Sequence, residues 1–190
     1  MDKLKQTPEY DHYLIGIYKF VACSLLHCFT SNFRGSIELM KLILLRHGLR
    51  EPGFGDISLS LQGFAHAEQL KEAGAFQDIQ VILASPKKRA QQTVAPAADK
   101  LGLTMKIEID LDQRKSVESQ QEFEHRAQSL MSHFAETYKD QNVLACSHSD
   151  WLQVAILGLE AHINDAATHC LLSCAEYKVL QYKQERWSLL

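Results

Sequence analysis

Three short runs constrain the fold of this chain more than any other feature: "KLILL" (41–45), "VILAS" (81–85) and "VLACS" (143–147). Their apolar residues are consecutive rather than alternating. A strand of that kind leaves no face for water, so it belongs in a sheet covered on both sides. "KIEI" (106–109) is a weaker fourth strand, and "AEYKVLQYK" (175–183) predicts a last strand at the sheet's edge.

Helical patterns fill the intervals. "SLQGFAHAEQLKEAG" (60–74) puts Phe64, Ala67 and Leu70 on one face, with Gly74 placed to end the helix. "SPKKRAQQTVAPAADKLG" (85–102) offers Ser85 as N-cap, Pro86 at the first helical position and Gly102 as the stop, and Pro96 predicts a kink or break. In "SVESQQEFEHRAQSLMSHFAETY" (116–138), Ser116, Ser119 and Glu122 suggest a capping box. Phe123, Ala127, Leu130 and Phe134 follow at helical spacing. Strand–helix alternation with continuous strands predicts an α/β domain, three layers α/β/α around a mainly parallel sheet.

The chain has 190 residues, 46 % hydrophobic, which suffices for one domain with a sizeable core. A net charge of −3, from 20 basic and 23 acidic residues, gives no general attraction to nucleic acid or anionic membrane. Cys23, Cys28, Cys146, Cys170 and Cys174 are odd in number and form no CxxC pair, which fits a reducing cytoplasm better than a disulfide framework. "HCLLSC" (169–174) matches no common zinc spacing, and its two leucines read as a buried apolar segment.

Residues 1–39 stand apart from the domain expected over 40–190. "YLIGIYKFVACSLLHCF" (13–29) is apolar apart from Lys19 and His27. It is too short and too interrupted for a membrane helix, and Asp2, Glu9 and Asp11 outweigh the cations that a signal peptide needs. An accessory helix, or an upstream extension before a natural start at Met40, are the two expectations.

Ligands of an open parallel sheet sit beyond the carboxyl ends of its strands. The first run delivers Arg46 and His47 to that rim. The second delivers Ser85 and then Arg89, and the third Ser147 and His148. Guanidinium forks bind tetrahedral oxyanions bidentately and stay charged. The helix start after "SP" adds N–H donors. Two arginines and an imidazolium therefore make a phosphate or sulfate pocket, in which a second histidine can attack phosphorus without a metal. A non-catalytic phosphate or phosphopeptide reader would keep the same pocket. A zinc hydrolase built on His47, His148, Asp150 and Cys146 lacks standard ligand spacing. "GLREPGFG" lacks the Gly-Lys-Ser/Thr ending of a P-loop.

"LLRHG" (44–48), "ASPKKRAQQT" (84–93) and "ACSHSDWL" (145–152), in this order, resemble the signature blocks of the histidine phosphatase superfamily, the phosphoglycerate-mutase-like fold. "DISLSLQG" (56–63) and "ESQQEFEHR" (118–126) are similar to further family segments, and the resemblance spans about residues 40–190. It implies that His47 becomes phosphorylated, that Arg46 and Arg89 bind the phosphoryl oxygens, and that His148 completes the pocket as a cationic donor. Gly48 would allow a tight turn, and a carbonyl would hold the second nitrogen of His47 to fix its tautomer.

Many members follow the RHG with Thr or Ser and then Asn, where this chain has "LREPG", with Arg50 and Gly53. The segment in which the family carries its general acid is "IEIDLDQRKSVES" (107–119), where Asp112 and Glu118 are the candidates. About 55 residues separate Arg89 from the third block, too few for the cap of glycolytic mutases. The resemblance thus implies a compact, cofactor-free phosphatase rather than a mutase, closest to the short phosphohistidine-phosphatase-like subgroup. Its substrate would be protein phosphohistidine or a small phosphomonoester.

Overall fold

In the computed structural model, residues 39–159 and 171–190 are described. The expectations for residues 1–38, and for Cys23, Cys28 and Cys170, lie outside them. The strands are β1 (Leu39–Arg46), β2 (Val81–Ala84), β3 (Met105–Ile107), β4 (Asn142–Ser147), β5 (Tyr177–Lys183) and β6 (Arg186–Leu189). They form one sheet in the order β3-β2-β4-β1-β5-β6. The first four are parallel; β5 and β6 are antiparallel. The mainly parallel α/β sheet expected from the strand pattern is therefore present. The run at 175–183 is neither the last strand nor the edge, because β6 turns back and covers it.

The consecutive apolar residues of β1 serve two cores. Leu42 and Leu44 point into one, Ile43 and Leu45 into the other, and all four are fully buried. Val143 and Ala145 of β4 join the first core, Leu144 and Cys146 the second. Each core is closed by helices. The described helices are α1 (Leu61–Leu70), α2 (Lys88–Leu101), α3 (Gln120–Thr137) and α4 (Ser149–Leu157). Phe123, Ala127, Leu130 and Phe134 of α3 line the first core with Trp151 and Leu152 of α4; Ala90, Val94 and Ala97 of α2 line the second.

Helix ends differ from the sequence pattern in instructive ways. α3 starts three residues later than Ser116 suggested: Ser119 is the N-cap, and its capping box with Glu122 is complete. α2 begins after Lys87: Ser85 Oγ, shared with His148, accepts from Lys87 N at 3.3 Å, and Lys88 N donates to Asp56 Oδ1 at 2.8 Å. Gly102 ends it in the left-handed region, φ 64°. Pro96 does not break the helix; burial of Val94, Ala97 and Ala98 holds both sides of the proline on the sheet. α1 stops at Leu70, and Gly74 opens a 3₁₀ turn (Gly74–Phe76) rather than capping. "KIEI" similarly divides into β3 and a 3₁₀ turn at Ile109–Leu111. In "HCLLSC", Leu172 is buried but Leu171 is exposed.

Ala67 is buried and Leu70 packs on the second core as expected, but Phe64 is 41 % exposed, and Gly63 takes its place on the inner face of α1. A Cβ at Gly63 would stand 2.0 Å from Leu49 O, which is backbone and cannot step aside. α1 is thereby seated flush on the segment that leaves His47. Gly63→Ala is expected to cost about 3 kcal/mol, read as a Tm fall of roughly 6–12 °C in thermal unfolding. An unchanged Tm would mean that the helix and this segment are not in that contact.

Candidate active site

Strand register assembles the site. Arg46 pairs with Ser147 across β1–β4, and Ala84 with Cys146 across β2–β4. The next residues out of these strands, His47, His148 and Ser85, therefore emerge side by side. Backbone bonds pin them: His47 N donates to Ser147 O at 3.0 Å, and Ser85 N to Cys146 O at 3.0 Å.

The side chains converge on Arg89, in the first turn of α2. Arg89 Nε donates to His47 Nε2 at 3.2 Å, and Arg89 Nη2 lies 3.1 Å from His148 Nδ1. The two imidazole rings are 5.1 Å apart between centroids. Arg46 Nη1 donates to Leu172 O at 2.6 Å, while its Nε is buried with no hydrogen-bond partner among the described residues. Sequence reasoning placed these four residues on one rim. In the structure His47, Arg89 and His148 are in direct contact, and Arg46 acts electrostatically on both rings.

Partner chemistry sets the proton positions. His47 Nδ1 lies 2.8 Å from Gly48 O, an acceptor only, so Nδ1 carries the hydrogen and the Nε2 lone pair faces the pocket. Burial, opposed by that carbonyl and assisted by Arg89, Arg46 and Arg50, lowers the His47 pKa to about 4. His148 Nδ1 must accept from Arg89, so its proton sits on Nε2, 2.7 Å from Ser85 Oγ. Burial first, then Arg89, His47, Lys87 and Arg46, pushes its pKa down to about 2. Among these neighbours His148 is therefore neutral, not the cation expected from the sequence.

The two carboxylate candidates separate. Glu118 is bound by Arg126 at 2.8 and 2.9 Å, and that pairing holds it at about 2, away from the cluster. Asp112, only 6 % exposed, lies in the pocket wall with Oδ1 3.7 Å from His148 Nε2 and Oδ2 3.3 Å from Lys87 Nζ. The helix start after "SP" contributes fewer donors than expected, since Lys88 N and Lys87 N are bonded to Asp56 and Ser85. A zinc set fares no better: Asp150 accepts from Arg114 N and Trp151 N, and burial raises the Cys146 thiol far above the range of a thiolate ligand.

Two supporting residues escaped the sequence reading. Thr93 Oγ1 accepts from Gly48 N at 2.9 Å and donates to Arg89 O at 2.6 Å, tying the turn after His47 to the helix that carries Arg89. Its place four residues after Arg89, on the same helical face, was the available signal. Gln113 Oε1 accepts from Arg89 Nη2 at 2.6 Å, and nothing in the sequence marked it.

Comparison with solved structures gives a candidate alpha-ribazole-5'-P phosphatase from Escherichia coli, at TM-score 0.68 and 19 % identity over 80 % of this chain and 94 % of that one. A phosphoserine phosphatase mutant from Entamoeba histolytica, in complex with phosphoserine, has TM-score 0.66 and 16 % identity over 79 % and 94 %. A phosphoglycerate mutase from Bacillus anthracis has TM-score 0.66 and 15 % identity over 81 % and 92 %. Among curated proteins no sequence relative matches. The profile of the histidine phosphatase superfamily (branch 1) matches residues 42–116 and 109–190, and with nearly all of β1 to β6 inside that match the chain belongs to this superfamily.

Proposed function

We propose that this protein is a metal-independent phosphatase that works through a phosphohistidine on His47. One observation carries the reading: the Nε2 lone pair of His47 faces the Arg89 guanidinium while Gly48 O holds the other nitrogen. That nitrogen attacks phosphorus, an Nε2–P bond forms, and the bond to the leaving group breaks with its electron pair. Arg46 and Arg89 balance charge on the phosphoryl oxygens, and His148 binds one of them. Water then attacks phosphorus, the Nε2–P bond breaks, and phosphate leaves as the lone pair returns to His47.

The substrate is either protein phosphohistidine or a small phosphorylated molecule such as a phosphomonoester. Glu118 is committed to Arg126, and Gln113, the side chain on the outer edge of Arg89, cannot give up a proton. An alkoxide leaving group needs a proton, whereas the nitrogen of a P–N bond is protonated readily from water. That contrast favours phosphohistidine; the phosphoserine held by the Entamoeba structure speaks for the small ester. Phosphate release from phosphohistidine protein and from phosphoserine, whose leaving group is an alkoxide, measured side by side, decides between them. Preference for the protein by at least tenfold in kcat/KM is the expected result, and a strong preference for the ester removes it. Trapping the labelled enzyme and mapping the label to His47 tests the intermediate itself. A labelled residue elsewhere, or none during turnover, ends the mechanism.

A further inference from the structure

We infer that Asp112 is a positioning residue for His148, holding a proton on the far edge of that ring and balancing the charge the ring gains when an anion enters the pocket. The inference rests on the phosphate-pocket reading above, and gives Asp112 a part other than donating a proton to the leaving group.

The two nitrogens of an imidazole point in nearly opposite directions. Nδ1 of His148 faces Arg89, hence the anion site, and Nε2 faces Ser85 and Asp112. Asp112 is therefore behind the ring as seen from the reacting phosphorus. Its remaining ties keep it there: Oδ1 accepts from Gln113 N at 2.9 Å, Oδ2 pairs with Lys87 Nζ at 3.3 Å, and its carbonyl accepts from Arg126 at 3.0 Å.

An anion that takes the guanidinium of Arg89 puts an oxygen opposite Nδ1, which then needs a hydrogen. Two routes supply one. The ring can exchange tautomers, with Ser85 Oγ turning to donate to Nε2, or it can take up a proton from solvent and become imidazolium. The first leaves the Nε2 lone pair facing the Asp112 carboxylate; the second gives that carboxylate an N–H to face. Asp112 selects the second. The other charges around the ring, His47, Arg46, Arg89 and Lys87, all oppose it until the dianion arrives and offsets them.

Sulfate, a tetrahedral dianion that carries no proton of its own near neutral pH, is the probe. Calorimetric titration of the full chain at pH 7 in two buffers of different ionisation enthalpy should show uptake of about one proton per sulfate. Asp112→Asn should lose that uptake and bind sulfate about tenfold more weakly. Lys87→Met, which removes the competitor for the carboxylate, should keep the uptake and move the alkaline limit of binding to higher pH, where Asp112→Asn moves it lower. Across aryl phosphates of increasing leaving-group basicity, Asp112→Asn should reduce kcat/KM by one constant factor. A loss that steepens with basicity would make Asp112 the general acid and overturn the inference. Sulfate binding to the wild type without proton uptake would overturn it as well, and needs no variant that folds. Failure of the wild type to bind sulfate at all strikes the phosphate-pocket reading instead.

Discussion

His47→Ala is expected to lower turnover by at least about 10⁴-fold while sulfate affinity stays within about tenfold of the wild type. Removing a nucleophile takes away the covalent route and leaves only charge stabilisation by the cradle. Binding should survive because the anion's partners stand elsewhere, on Arg46, Arg89 and His148. The substitution also releases Arg89 Nε from its 3.2 Å bond to the ring, and that donor becomes available to the anion. Steady-state kinetics and calorimetry on the same preparation check both halves. Unchanged turnover would mean that the activity does not pass through this pocket, and would favour the reading as a non-catalytic phosphate reader.

The rim of this pocket was legible in the sequence because strand ends are legible. "LLRH", "LASP" and "ACSH" each mark where apolar residues stop, and a parallel register of these three strands brings the stops together. Register itself is not written locally; it comes from which strands pair, as β1 does with both β4 and β5. The helix pattern gave the inner face of α3 correctly, since four large or small apolar residues recur there at helical spacing. On α1 it held for Ala67 and Leu70 but missed Phe64, where contact of Gly63 with the Leu49 carbonyl outweighs the pull to bury that ring. A periodicity argument weighs side chains and cannot see a backbone that needs the absence of one.

Charge was the other thing the residues alone did not disclose. Two arginines beside two histidines suggested an anion cradle with a cationic imidazole. Burial keeps a proton off both rings, and the same arginines add to the effect. Asp112, which reads in the sequence as one more carboxylate in a polar stretch, lies behind His148 only because the 3₁₀ turn at Ile109–Leu111 folds the chain back. Ser147 Oγ fastens that turn by donating to Leu111 O at 2.6 Å.

Burial of two imidazoles beside these arginines should make the protein sharply acid-labile. His47 is held at about 4 and His148 at about 2, whereas both titrate near 6.5 once the chain unfolds. Between those values the unfolded state binds two more protons than the folded one, so stability falls as pH falls below about 6.5. Each proton contributes about 1.4 kcal/mol per pH unit, which sums to roughly 5 kcal/mol lost by pH 4.5. The His47 share levels off near pH 4, and that of His148 continues below it. A loss of this size is comparable with the whole stability of many domains. Denaturant titrations from pH 7 to 4.5 should show it. His47→Asn, which cannot take up the proton, should remove close to half of the slope, and saturating sulfate should flatten it by letting His148 charge in the folded state. Equal slopes for His47→Asn and the wild type would mean that the ring is already protonated in the folded pocket, and an imidazolium cannot attack phosphorus.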